Sequence, residues 1–454
     1  MPEYLSPGVY VEETSGGSKA VEGASTSTAG FLGQTERGML KPQLVTDFSG
    51  FKRMYGGLID DSFLGHAVKG FFMNGGSRAF VGRITAEDRH QTAKATLAND
   101  SDDDVVAVEA VGPGDWGNSV AVTITDAPLS SDENTVFNLT VRYWSVDPDE
   151  IDNPGSDEPD PMPDREERFD DVNADQGSTQ YYEKILEGSS DFVAIDRVGD
   201  GRPENQTVLL SRDNGGDTAT DGGNNGGDTG GDDPGPDVPD DDELEEMVKD
   251  ELVEVADALD VDSSQNKDEL LEAIKEARDS QATVTDGAGD GITVGDYEGN
   301  GTPGQRTGLA AFEEIDNISI VCVPDENDIP GVTDAVVAHC ENMTERFALL
   351  QAPQNTDAVA DMETPVDSTY AGYYYPWIEV VDPNTGTKEI VPPGGHIAGI
   401  YARSDQETGV HKAPANEVVR GAQGLQLNLT KGEQDILNPK GINCIRSFQG
   451  RGIR

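Results

Sequence analysis

His396 and His411 are the first residues to test for chemistry. Both lie in residues 391–426, VPPGGHIAGIYARSDQETGVHKAPANEVVRGAQGLQ, the stretch with the densest ordered-protein patterning in the chain. A nucleophile needs a base within hydrogen-bond reach. Yet no Cys, Ser or carboxylate stands near either histidine in a spacing that marks such a pair. Pro392, Pro393, Gly394 and Gly395 offer a glycine-rich helix start to a phosphate, but the GxxxxGK[ST] pattern is missing. Cys322, Cys340 and Cys444 are odd in number, far apart and without a CxxC. They read as reduced, buried, small apolar residues. The Asp/Gly runs after Arg212 and around Asp286 lack the D-x-D-x-D-G spacing of a calcium loop and read as solvated tether. The expectation is therefore no catalytic residue, no cofactor and no metal.

The elements around these residues say more. Ile397, Ala398, Ile400 and Tyr401 form an apolar helical stripe, with Gly395 and Gly399 four apart on one face. Small residues at that spacing let a helix sit tight on a sheet or a neighbouring helix. Residues 409–416 follow as an irregular loop that packing or a partner must specify. Upstream, residues 28–33 read as a strand, 44–55 as a strand end and short helix, 63–73 as an amphipathic helix, and 79–84 as a strand. From Asp104 the period changes to two: VVAVEAVG, SVAVTIT and FNLTVRYWS are strands, with residues 113–118 turning between the first pair. A helix near 181–186 and a strand at 192–198 complete this region. Residues 318–323, ISIVCV, form a near-continuous apolar run, as expected of a strand covered on both faces. With a helix over 333–343 and a strand at 347–350 it makes a β-α-β unit. Residues 370–381 read as the start of a hairpin in which Tyr373, Tyr374, Tyr375 and Trp377 suit core packing or a subunit contact.

The chain has 454 residues, 35% of them hydrophobic, and a formal net charge of −55 from 87 acidic against 32 basic residues. That length suffices for two or three domains. Disorder accounts poorly for well-patterned apolar segments, so the acidity reads as a solvated surface suited to high salt. At molar salt the Debye length falls to roughly 3 Å, which screens repulsion between such subunits. Nucleic acid is disfavoured, because phosphate binding needs basic patches. No signal peptide opens the sequence and no apolar run has the length of a membrane span, which leads us to expect no membrane partner and folding inside a cell.

The stretch PPGGHIAGIYARSDQETGVHKAPANEVVRGA resembles the signature region of tail sheath proteins from contractile-tailed phages and related contractile injection systems. YLSPGVYVEE near the start, HAVKGFFMNGGSRAFVGRI at 66–84, YYYPWIEVVDP at 373–383 and LNPKGINCIRSFQGRGIR at 437–454 agree with it, in the right order. The resemblance covers the first ~90 residues and everything after about Gly308. It implies a structural subunit, not an enzyme, that polymerises with copies of itself around an inner tail tube and contracts to drive that tube through a target envelope. Baseplate and tail terminator proteins are the further implied partners. The implied location is a virion tail or a cellular injection particle assembled in the host cytoplasm.

The expected fold class is an α/β core (an α+β mixed sheet) with an inserted β-rich domain, a small helical insert and an extended N-terminal arm. The arm is residues 1–23. The core is 24–103 and 308–454, and the β-rich domain is 104–211. Residues 212–242 are an acidic Gly/Asp linker, 243–279 the helical insert and 280–307 a return linker. The insert resembles small helix-extension-helix modules related to SAP domains, but it is acidic and departs from the sheath pattern. Interface residues follow: Val9, Tyr10, Val11 and Glu12 form a strand too short to stand alone, which must pair with another sheet edge. Val410, His411, Lys412, Ala413, Pro414, Ala415 and Asn416 form the signature loop. Residues 442–448 read as a central strand. The family pattern continues beyond Arg454, so the expectation is either a second chain completing the domain or a shortened sequence. The reading from another class is an acidic α/β cation-binding protein or enzyme of a halophile.

Overall fold

A computed structural model describes residues 26–86, 91–127, 135–212, 291–354, 359–383 and 385–454. The N-terminal arm, the tether from residue 213 and the helical insert at 243–279 lie outside the described residues. The front of the chain forms β1 (Thr28–Gln34), β2 (Gln43–Val45), α1 (Phe48–Tyr55), α2 (Leu64–Met73) and β3 (Arg78–Ile84). Then come β4 (Lys94–Ala98), β5 (Asp104–Ala110), β6 (Val120–Asp126), β7 (Val136–Tyr143), β8 (Arg165–Asn173), α3 (Tyr182–Leu186), β9 (Val193–Arg197) and β10 (Thr207–Leu209). The back of the chain opens with α4 (Val294–Glu298), α5 (Gly308–Phe312), β11 (Ile320–Cys322), α6 (Val332–Met343), β12 (Phe347–Gln351) and β13 (Ala371–Tyr375). It closes with β14 (Ile378–Val381), β15 (Lys388–Val391), α7 (Gly394–Glu407), β16 (Gly424–Leu425), α8 (Lys431–Leu437), β17 (Ile442–Cys444), β18 (Ser447–Phe448) and β19 (Gly452–Ile453).

The main sheet runs β17-β13-β12-β11-β1-β3-β2. All its pairs are parallel except β2 with β3. β1, from the front, lies against β11, from the back, with Phe31 opposite Cys322. Neither half of the chain makes this sheet alone. Alternate strand residues face opposite sides. Ala29, Phe31, Val81, Cys322 and Leu349 join one core cluster with α1, α2 and α7, while Leu32, Val321, Ala348 and Leu350 join another with α4, α5, α6 and α8. Cover on both faces is why the strands read as unbroken apolar runs.

Four differences from the sequence reading have plain causes. Helix α2 is not amphipathic in use: Leu64, Gly65, His66, Ala67, Val68, Gly70 and Phe71 are all buried, because α7 packs against it backbone to backbone while both helices also contact the main sheet. The run at 370–381 is two strands in two sheets. β13 belongs to the main sheet, while after Pro376 β14 forms the expected hairpin with β15 and also pairs with β16. The strand at 442–448 is not central. β17 is only Ile442–Cys444 and lies at the sheet edge, while Ser447 and Phe448 enter a separate two-stranded hairpin. Last, the segment 291–307 is anchored to the core rather than wholly free of it, since Ile292 and Tyr297 are buried in the second cluster while the rest of the segment is intermediate or exposed. Cys322 and Cys340 are buried as expected, whereas Cys444, on the edge strand, is only half-buried.

Between β3 and α4 the described chain forms two sheets, β10-β6-β7-β8 and β4-β5-β9, around a third cluster that includes Trp116, Phe137, Tyr143 and Phe192. Residues 113–118 do turn the chain, but from one sheet to the other. Neither β4 nor β8 is evident in the sequence. β8, REERFDDVN, is mostly exposed, and only Phe169 and Val172 turn toward the core.

The seam between this region and the main sheet is built on Arg37. Its guanidinium donates to the Lys52 and Arg53 carbonyls at 3.2 and 3.1 Å, at the end of α1. It also lies 4.7 Å over the Tyr143 ring and 5.3 Å from the Phe192 ring. Tyr143 Oη donates to Glu36 at 2.7 Å, and Arg83 Nη1 donates to the Pro113 carbonyl at 2.6 Å. Arg37→Ala removes donors from buried carbonyls and a cation from two ring faces, at a cost of about 2–4 kcal/mol. Calorimetry should show one unfolding transition split into two; a single unshifted transition would refute the seam.

Candidate functional site

The helix pair α2/α7 and the loop after it gather most of the residues the sequence singles out. Gly395 and Gly399 are the reason the pair can form. A Cβ at Gly395 would stand 2.3 Å from the Ala67 backbone, and one at Gly399 would stand 2.4 Å from the Phe71 carbonyl oxygen. The two backbones are therefore in contact, and Ile397 and Ile400 are buried in the same cluster. Asn74 closes the other end, with Nδ2 donating to Gly70 O and Arg420 O while Oδ1 accepts from Arg420 N. Arg403 Nη1 donates to Asn74 O at 2.7 Å.

The starts of both helices are tied to two adjacent buried carboxyls just past β11. Asp325 accepts from Ser62 Oγ at 2.6 Å and from Phe63 N at 2.8 Å, at the entry to α2. Glu326 accepts from Gln351 N at 2.7 Å and Gln351 Nε2 at 3.0 Å. Gln351 Oε1 in turn accepts from Gly394 N at 3.2 Å, the first residue of α7. Glu326 Oε2 is buried without a hydrogen-bond partner. Burial pushes the Asp325 carboxyl up to about 7 and that of Glu326 up to about 8, against the pull of their hydrogen bonds. No side-chain cation pairs with either among the described residues. Sequence reasoning missed Asp325, Glu326 and Gln351; the available signal was an acidic pair directly behind an all-apolar strand.

The two histidines are not a pair. His396 lies buried on Gly70, its Nδ1 without a partner, and burial pushes it down to about 3, with His66 and Lys69 adding to the effect. It is a neutral packing residue beside a cavity of about 190 Å³ that His66, Lys69, Met73 and Gln423 also line. His411 is exposed on the loop. Neither has a nucleophile bonded to it.

The loop leaves α7 at Gly409, whose φ of +105° suits glycine. Val410 is 63% exposed, and His411, Ala413, Ala415 and Asn416 are exposed too. Lys412 and Arg403 both pair with Glu417, and Arg454 Nη1 donates to Asn416 O at 2.8 Å. A groove of about 350 Å³ separates residues 413–417 from β17 and the β18/β19 hairpin. Among the described residues β17 pairs only with β13, so one row of its backbone groups is free of a strand partner. The structure thus brings the loop residues Val410 to Asn416 to one surface, whereas Val9, Tyr10, Val11 and Glu12 lie outside the described residues. Among the described residues no group of His, Cys, Asp or Glu is placed to hold a metal ion, and no helix is long and apolar enough to cross a membrane.

Residues 290–454 match the family model described as the phage tail sheath protein central domain. The resemblance read from the residues is borne out over that part. A comparison with curated proteins finds no match. Among solved structures, a chain of the anti-feeding prophage baseplate is 31% identical over 32% of this chain and 38% of its own, with a TM-score of 0.26. The sheath tail protein of Listeria innocua is 11% identical over 94% of this chain and 67% of its own, with a TM-score of 0.47. The contracted helical sheath of the anti-feeding prophage is 16% identical over 98% and 66%, with a TM-score of 0.39. The chain thus spans well under half of the first and about two thirds of the other two. With each TM-score below 0.5, the weight falls on the matched segment.

Proposed function

We propose that this chain is the structural subunit of a contractile sheath, polymerising with copies of itself around an inner tube and contracting to drive that tube through a target envelope. The match of residues 290–454 to the sheath central domain carries this reading. Residues 28–34 and 78–84 support it from the other end of the chain, because β1 and β3 complete the sheet that the matched segment begins. The matched family is structural, so no catalytic step is assigned, and nothing in the comparisons favours a cation-binding protein or enzyme. We read residues 24–103 with 308–454 as the core and 104–211 as an inserted β-rich domain. Inner tube, baseplate and terminator proteins are the further partners, in a virion tail or a cellular injection particle assembled in the host cytoplasm.

The interfaces we assign are the arm residues Val9, Tyr10, Val11 and Glu12 and the loop residues 410–416. A β-prone segment gains most by adding to a sheet edge, where backbone hydrogen bonds supply affinity and alternate side chains supply register. The acidic surface reads as an adaptation to high salt, so assembly belongs in molar KCl. Negative-stain microscopy of the purified chain under those conditions should show tubes. Removing residues 1–16 should leave the melting curve of the monomer unchanged and abolish the tubes, and Val11→Pro should do the same by deleting a ladder donor. Discrete particles from the intact chain would sink the sheath reading. Normal tubes from the truncated chain would sink only the arm.

A further inference from the structure

The chain contains four Asn-Gly steps, at Asn74, Asn214, Asn225 and Asn300. Such a step is where a polypeptide can rewrite its own backbone, because glycine has no side chain to keep its nitrogen away from the asparagine side-chain carbonyl. Asn74-Gly75 and Asn300-Gly301 lie among the described residues, and the fold treats them in opposite ways.

Asn74 is fully buried at the end of α2. Its Nδ2 donates to Gly70 O at 2.9 Å and to Arg420 O at 3.0 Å, while Oδ1 accepts from Arg420 N at 2.8 Å. Gly75 N donates to Phe72 O at 3.2 Å. The nitrogen that would attack and the amide that would leave are both tied down, out of reach of water.

Asn300 is exposed, on the loop 300–307 that joins α4 to α5. Its main chain is fixed, with N donating to Thr307 Oγ1 at 2.9 Å and O accepting from Thr307 N at 3.3 Å. Its Oδ1 accepts from Thr302 N at 2.8 Å. Among the described residues neither Asn300 Nδ2 nor Gly301 N makes a hydrogen bond, and a Cβ at Gly301 would meet nothing within 4 Å.

We propose that Asn300 is a site of spontaneous backbone modification by deamidation, in which Gly301 N attacks Asn300 Cγ. The N–Cγ bond forms and the Cγ–Nδ2 bond breaks. Solvent takes the Gly301 amide proton, and Nδ2 leaves with a solvent proton as ammonia. Charge develops on Oδ1 during the attack, where the Thr302 N–H already donates. Water then opens the cyclic imide at either carbonyl, which gives aspartate or isoaspartate. Both products carry a new negative charge. Isoaspartate also reroutes the main chain through Cβ and Cγ, so the two-bond bracket to Thr307 cannot keep its geometry.

Peptide mapping by mass spectrometry tests this on the full chain, held folded in molar KCl at mildly alkaline pH. Asn300 should convert at least about tenfold faster than Asn74, because conversion at Asn74 must first break hydrogen bonds that Asn300 does not make. In urea, where both side chains are released, the two rates should draw level. Gly301→Ala should slow conversion at Asn300 without moving the melting curve, since its methyl meets open space in the fold and crowds only the attacking nitrogen. Isoaspartate should accompany aspartate among the products. Asn74 keeping pace with Asn300 in the folded chain, aspartate without isoaspartate, or unslowed conversion in Gly301→Ala would each overturn the proposal.

Discussion

Gly395→Val is expected to yield no folded protein, and Gly395→Ala a marginal one. The added methyl would lie 2.3 Å from the Ala67 backbone, and backbone cannot swing aside as a side-chain tip can. Overpacking of this kind costs about 1–3 kcal/mol where neighbours relax, and more where they cannot. The sign is the diagnostic. Glycine to alanine inside a helix normally stabilises, by up to about 1 kcal/mol. Gly50→Ala in α1 supplies that control, because the nearest atom to its Cβ is Asp47 Oδ1 at 3.8 Å. In urea denaturation Gly50→Ala should raise the midpoint while Gly395→Ala lowers it. If both raise it, the α2/α7 backbones are not in contact, and the loop at 410–416 is not held by this pair.

The second large effect follows from Asp325 and Glu326. Their folded carboxyls are raised to about 7 and about 8, above the unfolded values, so the folded state holds protons that the unfolded state has released. The stability they contribute is complete below the unfolded pKa and is lost as the pH rises through 7 and 8. Each unit of upward shift corresponds to about 1.4 kcal/mol, so together the pair amounts to several kcal/mol. Buried His396 and His339 act in the opposite sense. Their pKa values are depressed, so their contribution falls away as the pH drops below about 6.5. Melting temperature should therefore peak on the acid side of neutrality, fall as the pH rises through about 7 and 8, and level off above that. Asp325→Asn with Glu326→Gln keeps the shapes and removes the titration, so the alkaline limb should flatten with little change near pH 6. An unaltered alkaline limb in the double variant would show that other groups carry it.

The primary sequence determined which residues had to be hidden. The ISIVCV run, the Gly395/Gly399 spacing and the tyrosines of 373–375 each have one stable solution, burial, because an apolar face or a missing Cβ needs a neighbour. The resemblance to the sheath central domain also lay in contiguous words, and words survive without coordinates. What the neighbour is depends on contacts between residues far apart in the chain, and local pattern carries no information on them. Only the tertiary structure decided that β1 sits between β11 and β3, and that Asp325 ties an α2 start 262 positions earlier in the chain. It also decided that 442–448 splits into an edge strand and a hairpin, since an edge and a centre read alike until the partners are counted. β8 escaped notice for the related reason that an edge strand buries too little to leave a period.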